Sequence, residues 1–130
     1  MRHFRRATPA LRSERLARLR RGQFAELVAA LLLMSKGYRI LARRHRTPHG
    51  EIDLIAARGR RIAFVEVKRR GTLSDAEAAL TPYQARRVAM AADFWIARRP
   101  RFRDHEIGLD AILVVPGRLP RHLPNALDTP

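Results

Sequence analysis

Gly50-Glu51-Ile52-Asp53-Leu54-Ile55, followed after Arg58-Gly59-Arg60-Arg61 by Phe64-Val65-Glu66-Val67-Lys68, reads as a β-hairpin with charges in strongly apolar company. A strand of this kind alternates apolar and polar residues with its apolar side inward. Here two carboxylates and an ammonium fall on a face that also carries Ile55, Ile62 and Phe64. Charges on a partly buried face are costly unless paired, metal-bound or otherwise compensated. With Gly59 in the first central position of a II′ turn, Arg58 pairs with Arg61. Counting outward from that pair sets Asp53 opposite Glu66 and Glu51 opposite Lys68.

Opposed residues hold their Cβ atoms about 4.5–5.5 Å apart, where like charges repel. A divalent cation between Asp53 and Glu66 removes that repulsion. Two carboxylate oxygens, with the backbone carbonyl of Val67 and waters, suit a hard cation such as Mg²⁺. Alternation puts Glu66 and Lys68 on one face, so the ammonium reaches the same place. The alternative is a solvated ladder of ion pairs on an exposed hairpin, which the apolar neighbours oppose.

Asp53, twelve residues, then Glu66-Val67-Lys68 resembles the PD-(D/E)XK nuclease motif. The wider set is more specific. Gly22-Gln23-Phe24-Ala25-Glu26, Gly37-Tyr38-Arg39-Ile40-Leu41, Gly50-Glu51-Ile52-Asp53-Leu54-Ile55 and Phe64-Val65-Glu66-Val67-Lys68-Arg69 resemble the bacterial YraN family in order and spacing, over residues 14–128. The resemblance implies an α/β fold with a restriction-endonuclease-like or Holliday-junction-resolvase-like core. It also implies catalytic Asp53, Glu66 and Lys68, a metal site at Asp53, Glu66 and the Val67 carbonyl, and Mg²⁺ as cofactor with Mn²⁺ as a substitute. Glu26 holds the position of a helix acid that completes such sites. The chain departs from the family pattern at Arg44, where Asn is usual, and at Gly108-Leu109-Asp110, which replaces Arg-Phe-Asp; Asp110 reads as structural.

Composition points the same way with less force. The chain has 130 residues, enough for one domain with a single core, and 27 Lys and Arg against 12 Asp and Glu, a formal charge of +15. Nucleic acid is the default partner of so basic a domain. Twenty-five of the cations are Arg, so part of the charge can reflect an Arg-rich composition. That skew makes Lys68 informative: a compact point charge is retained where a planar guanidinium would not substitute. Lys36 is the other Lys and weakens the argument. There is no Cys, which removes disulfides, thiolate metal sites and a Cys nucleophile and fits a reducing cytoplasm. The apolar run at residues 24–34 is broken by Glu26, is too short to span a membrane and lacks a cleavage site. It is expected to be a buried helix.

Along the chain, residues 1–12 are expected to be a basic mobile arm and residues 13–130 a single domain with an extended, irregular Pro-rich tail from residue 116. Ser13 is the expected N-cap of a helix ending at Lys36, with Gly37 as its C′ residue. Strands are expected at residues 38–45, along both arms of the hairpin and at residues 107–115. Ser74-Asp75-Ala76-Glu77 and Thr81-Pro82-Tyr83-Gln84 fit capping boxes, the second opening a long helix to Arg98. The order α-β-β-β-α-β fits a mixed central sheet flanked by helices.

Glu26 has no basic residue three or four positions away on its own helix, so it either joins the metal site or pairs elsewhere in the fold. Arg43, Arg44, Arg46, Arg69, Arg70, Gln84 and Arg87 are the candidate nucleic-acid contacts, against an exposed amphipathic face for the helical ones. His45 and His49 lack a third ligand for zinc. Phe94 and Trp95 are expected in the core. The expected activity is Mg²⁺-dependent hydrolysis of phosphodiester bonds in DNA by a structure-selective or nonspecific endonuclease. The rival readings are a nucleic-acid-binding protein that keeps the fold without turnover, and an RNA nuclease. No membrane association is expected; a homodimer is open.

Overall fold

A 27-residue helix, α1 (Pro9–Ser35), opens the described chain in a computed structural model that describes residues 8–128. Thr8 caps it: its hydroxyl accepts from the Leu11 N–H at 3.2 Å, and Pro9 occupies the first turn, where its missing N–H costs nothing. The expected start at Ser13 is therefore corrected, and residues 9–12 of the expected arm are helical; residues 1–7 lie outside the described residues. Gly37 closes the helix at φ +91°. Its N–H bonds the Met34 carbonyl and the Tyr38 N–H bonds that of Leu33, each at 3.0 Å, a Schellman motif that an L side chain at Gly37 would strain.

α1 is not buried all round, which corrects a second expectation. Ala25, Ala29, Ala30 and Leu33 face the sheet, and their small side chains let the helix approach it closely. Phe24 (63 % exposed), Leu31 and Met34 point outward.

β1 (Arg39–Thr47), β2 (Gly50–Arg58) and β3 (Arg61–Arg69) form an antiparallel meander. Arg58 pairs with Arg61 as the turn chemistry predicts, with Gly59 at φ +58° and Arg60 outside the left-handed region. β1 carries a bulge at Leu41, since Ile40 pairs with Ala56 and Ala42 with Ile55. The chain then crosses over through α2 (Leu73–Ala78) and α3 (Pro82–Ala97), so that β4 (Glu106–Val114) runs parallel to β3. Thr72, not Ser74, caps α2; Thr81 caps α3, with Pro82 following as expected. The tail is not wholly irregular: Arg121–Leu123 forms a short edge strand, β5, antiparallel to β4, confined by Pro120 and Pro124.

The result is a five-stranded open mixed sheet, β1-β2-β3-β4-β5, flanked by helices. On one face Ile52, Ile55, Ile62 and Phe64 pack against Val88 and Trp95 of α3. On the other, Leu54, Ala56, Val65 and Ile112 pack against Ala29 and Leu33 of α1. Trp95 is in the core, stacked on Phe102; Phe94 is half-buried beneath the Arg98 guanidinium. Among the described residues, no helix is long and apolar enough to cross a membrane.

A polar knot fastens the far edge. Asp110 on β4 is fully buried and accepts both Arg61 Nη atoms (2.9 and 2.8 Å), the Asn125 N–H (2.8 Å) and a contact from His122 Nε2 (2.8 Å). Lys36, unremarkable in sequence, meets the other ring nitrogen of His122. Gly108 is required by this crossing: a Cβ there would stand 2.1 Å from Arg61 Nη2. Asp110 is thus structural, as its sequence context suggests.

Candidate metal centre

The β2–β3 ladder stops at Leu54 and Val65. Beyond it the Asp53 side chain takes the place of a backbone partner: Oδ2 accepts the Val67 N–H at 2.7 Å. The expected pairs Asp53–Glu66 and Glu51–Lys68 do not form as ladder partners. Glu51 pairs instead with Arg46 on β1. The strands part there, and the carboxylate takes up an N–H that has lost its partner in the ladder. Asp53 nevertheless comes to the residue next to Glu66.

Glu66 and Lys68 share the α3 face of β3, as alternation requires, and both are buried. Lys68 Nζ lies 3.0 Å from Glu66 Oε1. The other oxygen faces Arg87 Nη2 at a loose 3.5 Å. Arg87, a candidate phosphate contact, reaches inward from α3 and donates to the Glu51 carbonyl at 2.9 Å. The sequence signal for this was Gly50. It sits at φ +122°, and a Cβ there would come within 2.6 Å of Arg87 Nη1. Glycine at the head of Gly50-Glu51-Ile52-Asp53 clears the path of the guanidinium.

Glu26 has found its partner elsewhere in the fold: Arg44 Nε on β1, at 2.5 Å. That hydrogen bond, before all else, raises the Arg44 pKa. Arg44 stands at φ +48°, a region where Asn is far better tolerated than Arg. The charge of Glu26 is still felt at Asp53.

Asp53 is the acid left with excess negative charge around it. Burial first, and the Glu66 charge second, push its carboxyl up to about 7, against the pull of the Val67 N–H and Lys68. This is where the residues fit a hard cation: a half-buried carboxylate with no cation in hydrogen-bonding contact among the described residues, repelled by a second one next to its bonded backbone. Among the described residues no cluster of three His, Cys, Asp or Glu is gathered for a metal. Mg²⁺, which keeps several waters and takes one or two carboxylates, does not require such a cluster.

The folded pKa of Asp53 lies above its unfolded value. The fold therefore favours the protonated acid, and that stability is lost as pH rises through about 7. Asp53→Asn keeps an acceptor for the Val67 N–H and removes the charge. At pH 8 without metal it should stabilise the protein by about 2–4 kcal/mol, at about 1.4 kcal/mol per pKa unit. The gain should fall to less than half of this at pH 5 and vanish only below about pH 4, where the carboxyl is protonated in the unfolded chain as well. Thermal melts at the two pH values check this; an unchanged or lower midpoint at pH 8 would contradict it.

The remaining candidates divide. Arg43 and Arg46 are exposed, and Arg46 makes only a 3.8 Å surface pair with Glu51. Arg70 is exposed and donates to the Arg69 carbonyl. Gln84 lies one turn before Arg87 on α3, and its Oε1 is buried without a hydrogen-bond partner. His49, Tyr83, Arg86, Arg87 and Met90 line a groove that is joined to the acids through Arg87.

The profile of the family described as "Uncharacterised protein family UPF0102" matches residues 25–114. The chain is 54 % identical over 115 residues to a UPF0102 protein of Rhodopseudomonas palustris strain BisB5, covering 88 % of each. It is 55 % identical over 115 residues to the UPF0102 protein BRADO0179 of Bradyrhizobium sp. strain ORS 278, covering 88 % of this chain and 82 % of the relative. A UPF0102 protein of R. palustris strain BisB18 is 52 % identical over 122 residues, 94 % of this chain and 90 % of its own. The matched span contains Glu26, Asp53, Glu66 and Lys68, so the acids described above lie within what is shared, and the chain belongs to the UPF0102 family, also called YraN.

Proposed function

We propose that the protein is a Mg²⁺-dependent nuclease with a restriction-endonuclease-like core that hydrolyses phosphodiester bonds in DNA, structure-selectively or without sequence preference. The observation that carries this reading is Asp53 at the parting of β2 and β3, bonded to Val67 and repelled by Glu66, with the Lys68 ammonium 3.0 Å from Glu66.

Asp53, Glu66 and the Val67 carbonyl are the residues that would hold the ion. Bound there, Mg²⁺ supplies Lewis-acid polarisation of phosphate and a lowered pKa for water. Lys68 is placed to orient the attacking water and to offset charge developing on the phosphate. The Val67 N–H fixes the Asp53 carboxylate before substrate arrives. Glu26, held by Arg44, adds negative charge from the α1 side. Arg43, Arg46 and Arg86 offer backbone contacts that carry no base readout.

A second reading is a nucleic-acid binder that keeps the fold without turnover. Arg87 at Glu66 and Arg44 at Glu26 favour it, since the chain's own cations then occupy two of the three acids. Purified protein incubated with branched, single-stranded and duplex DNA and with RNA, in Mg²⁺ or Mn²⁺, separates the readings. Cleavage of DNA that a chelator stops is expected. Binding without cleavage of any substrate would favour the second reading, and cleavage of RNA alone would replace DNA as substrate.

A further inference from the structure

The α1 face of the sheet carries a groove of about 360 Å³ at the end of β3 and β4, outside the metal centre. Four guanidiniums border it, from Arg20 and Arg21 of α1, Arg69 of β3 and Arg118 of the turn after β4. No carboxylate lines it, and among the described residues none of the four arginines has an ion-pair partner. Its apolar lining is Phe24 and Val28 of α1 with Val114, Val115 and Pro116 at the end of β4. An aromatic ring 63 % exposed between unpaired cations is poorly explained by folding, because α1 packs on the sheet through Ala25, Ala29 and Leu33 instead.

Cations along a groove with an exposed aromatic ring are what a polyanion bearing flat apolar groups requires: guanidiniums for its phosphates and a ring for a base to stack on. The volume suits one nucleotide. A duplex is ill-suited, since its bases are already stacked inside it. The groove also begins one residue along β3 from the metal centre, on the opposite face of the sheet. Arg69 follows Lys68 directly, and alternation along β3 sends Lys68 to the α3 face and Arg69 to the α1 face. A strand leaving the acids around the end of β3 arrives at Arg69.

We propose that this groove holds an unpaired strand of the nucleic acid whose backbone lies at Asp53 and Glu66, with a base stacked on Phe24 and phosphates on Arg20, Arg69 and Arg118. The protein then selects substrates with a single-stranded portion next to the cut. This rests on the function proposed above for its substrate class, but its test does not depend on turnover.

The test is fluorescence anisotropy of the full chain with a labelled ten-residue oligothymidylate and with a blunt duplex, in EDTA. Arg20→Glu/Arg118→Glu should weaken oligothymidylate binding more than tenfold and lower the salt slope by about 1.4, for two phosphates lost from a single strand. Phe24→Ala should weaken it about tenfold, the range of one base stack. Arg101→Glu/Arg103→Glu, exposed cations on the turn after α3, changes charge equally and should cost less than threefold. Circular dichroism melts confirm that the variants fold. Equal losses in the two double variants would overturn the groove in favour of diffuse charge attraction. An unchanged Phe24→Ala would overturn the stacked base. Full displacement of the probe by inorganic phosphate at millimolar concentration would reduce the groove to an anion site and overturn the proposal. Tight oligothymidylate binding through the groove in a protein that never cuts would overturn the nuclease reading alone; cleavage with groove variants binding normally would overturn the groove alone.

Discussion

Glu66→Gln is expected to lower Mg²⁺-supported DNA cleavage by about 10²–10³-fold, the range seen when one charge-stabilising group is taken from an active site. It should also destabilise the fold. Both Glu66 oxygens face cations, Lys68 at 3.0 Å and Arg87 at 3.5 Å, and Lys68 is 9 % exposed. A neutral amide leaves these cations without counter-charge, while relieving Asp53 of repulsion. The balance is a net loss of about 1–3 kcal/mol at pH 8. Asp53→Asn should lose cleavage to a similar degree yet become more stable. Opposite stability effects with a shared loss of activity separate an acid kept for function from one that also serves the fold. Steady-state cleavage and urea melts on the two variants measure this. Equal destabilisation of both, or retained cleavage by either, would contradict it.

Asp110→Ala is expected to cost about 3–5 kcal/mol, the range for removing one partner of a buried ion pair. Burial alone pushes the Asp110 carboxyl up, but hydrogen bonds from His122, Arg61 and the Asn125 N–H outweigh it and bring it to about 2. The same bond to Asp110 holds the Arg61 guanidinium above its ordinary value. Since the folded pKa of Asp110 lies below its unfolded one, its contribution is present above about pH 4 and is lost as pH falls towards 2. Wild type should therefore lose stability through that window and the variant should lose less. Replacing the pair together, Arg61→Met with Asp110→Leu, should recover only part of the loss: the guanidinium is no longer stranded, but His122 and the Asn125 N–H still lose their acceptor. Urea melts at pH 7 and 3 check this; a cost below about 1 kcal/mol at pH 7 would contradict it.

Much of the fold was legible in local chemistry. Gly37 past an apolar helix, Thr81-Pro82 before another and Gly59-Arg60 between apolar runs each set a backbone conformation within a few residues, and the structure shows all three. The missed helix start shows the limit. Thr8-Pro9 carries the same signal as Thr81-Pro82, but a basic, apolar-poor flank made it read as an arm. β5 was hidden by the prolines on either side of it, and its anchor, His122 on Asp110, is a tertiary contact.

The acids were legible as residues that do not belong on a partly buried hairpin face. Their partners were not. Glu26 has no helical partner, and only the packing of α1 on the sheet brings Arg44 to it. The register near Asp53 could not be counted from the turn, because a side chain replaces the ladder there. Gly50 gave a readable but unread sign that another chain segment, here Arg87, crosses close by.

The most direct test of a shared ion is anomalous diffraction from crystals soaked in Mn²⁺. A single peak within roughly 2.0–2.4 Å of a carboxylate oxygen of both Asp53 and Glu66 is predicted, absent from crystals of Asp53→Asn. A peak elsewhere, none at all, or one that survives the loss of Asp53 would contradict it.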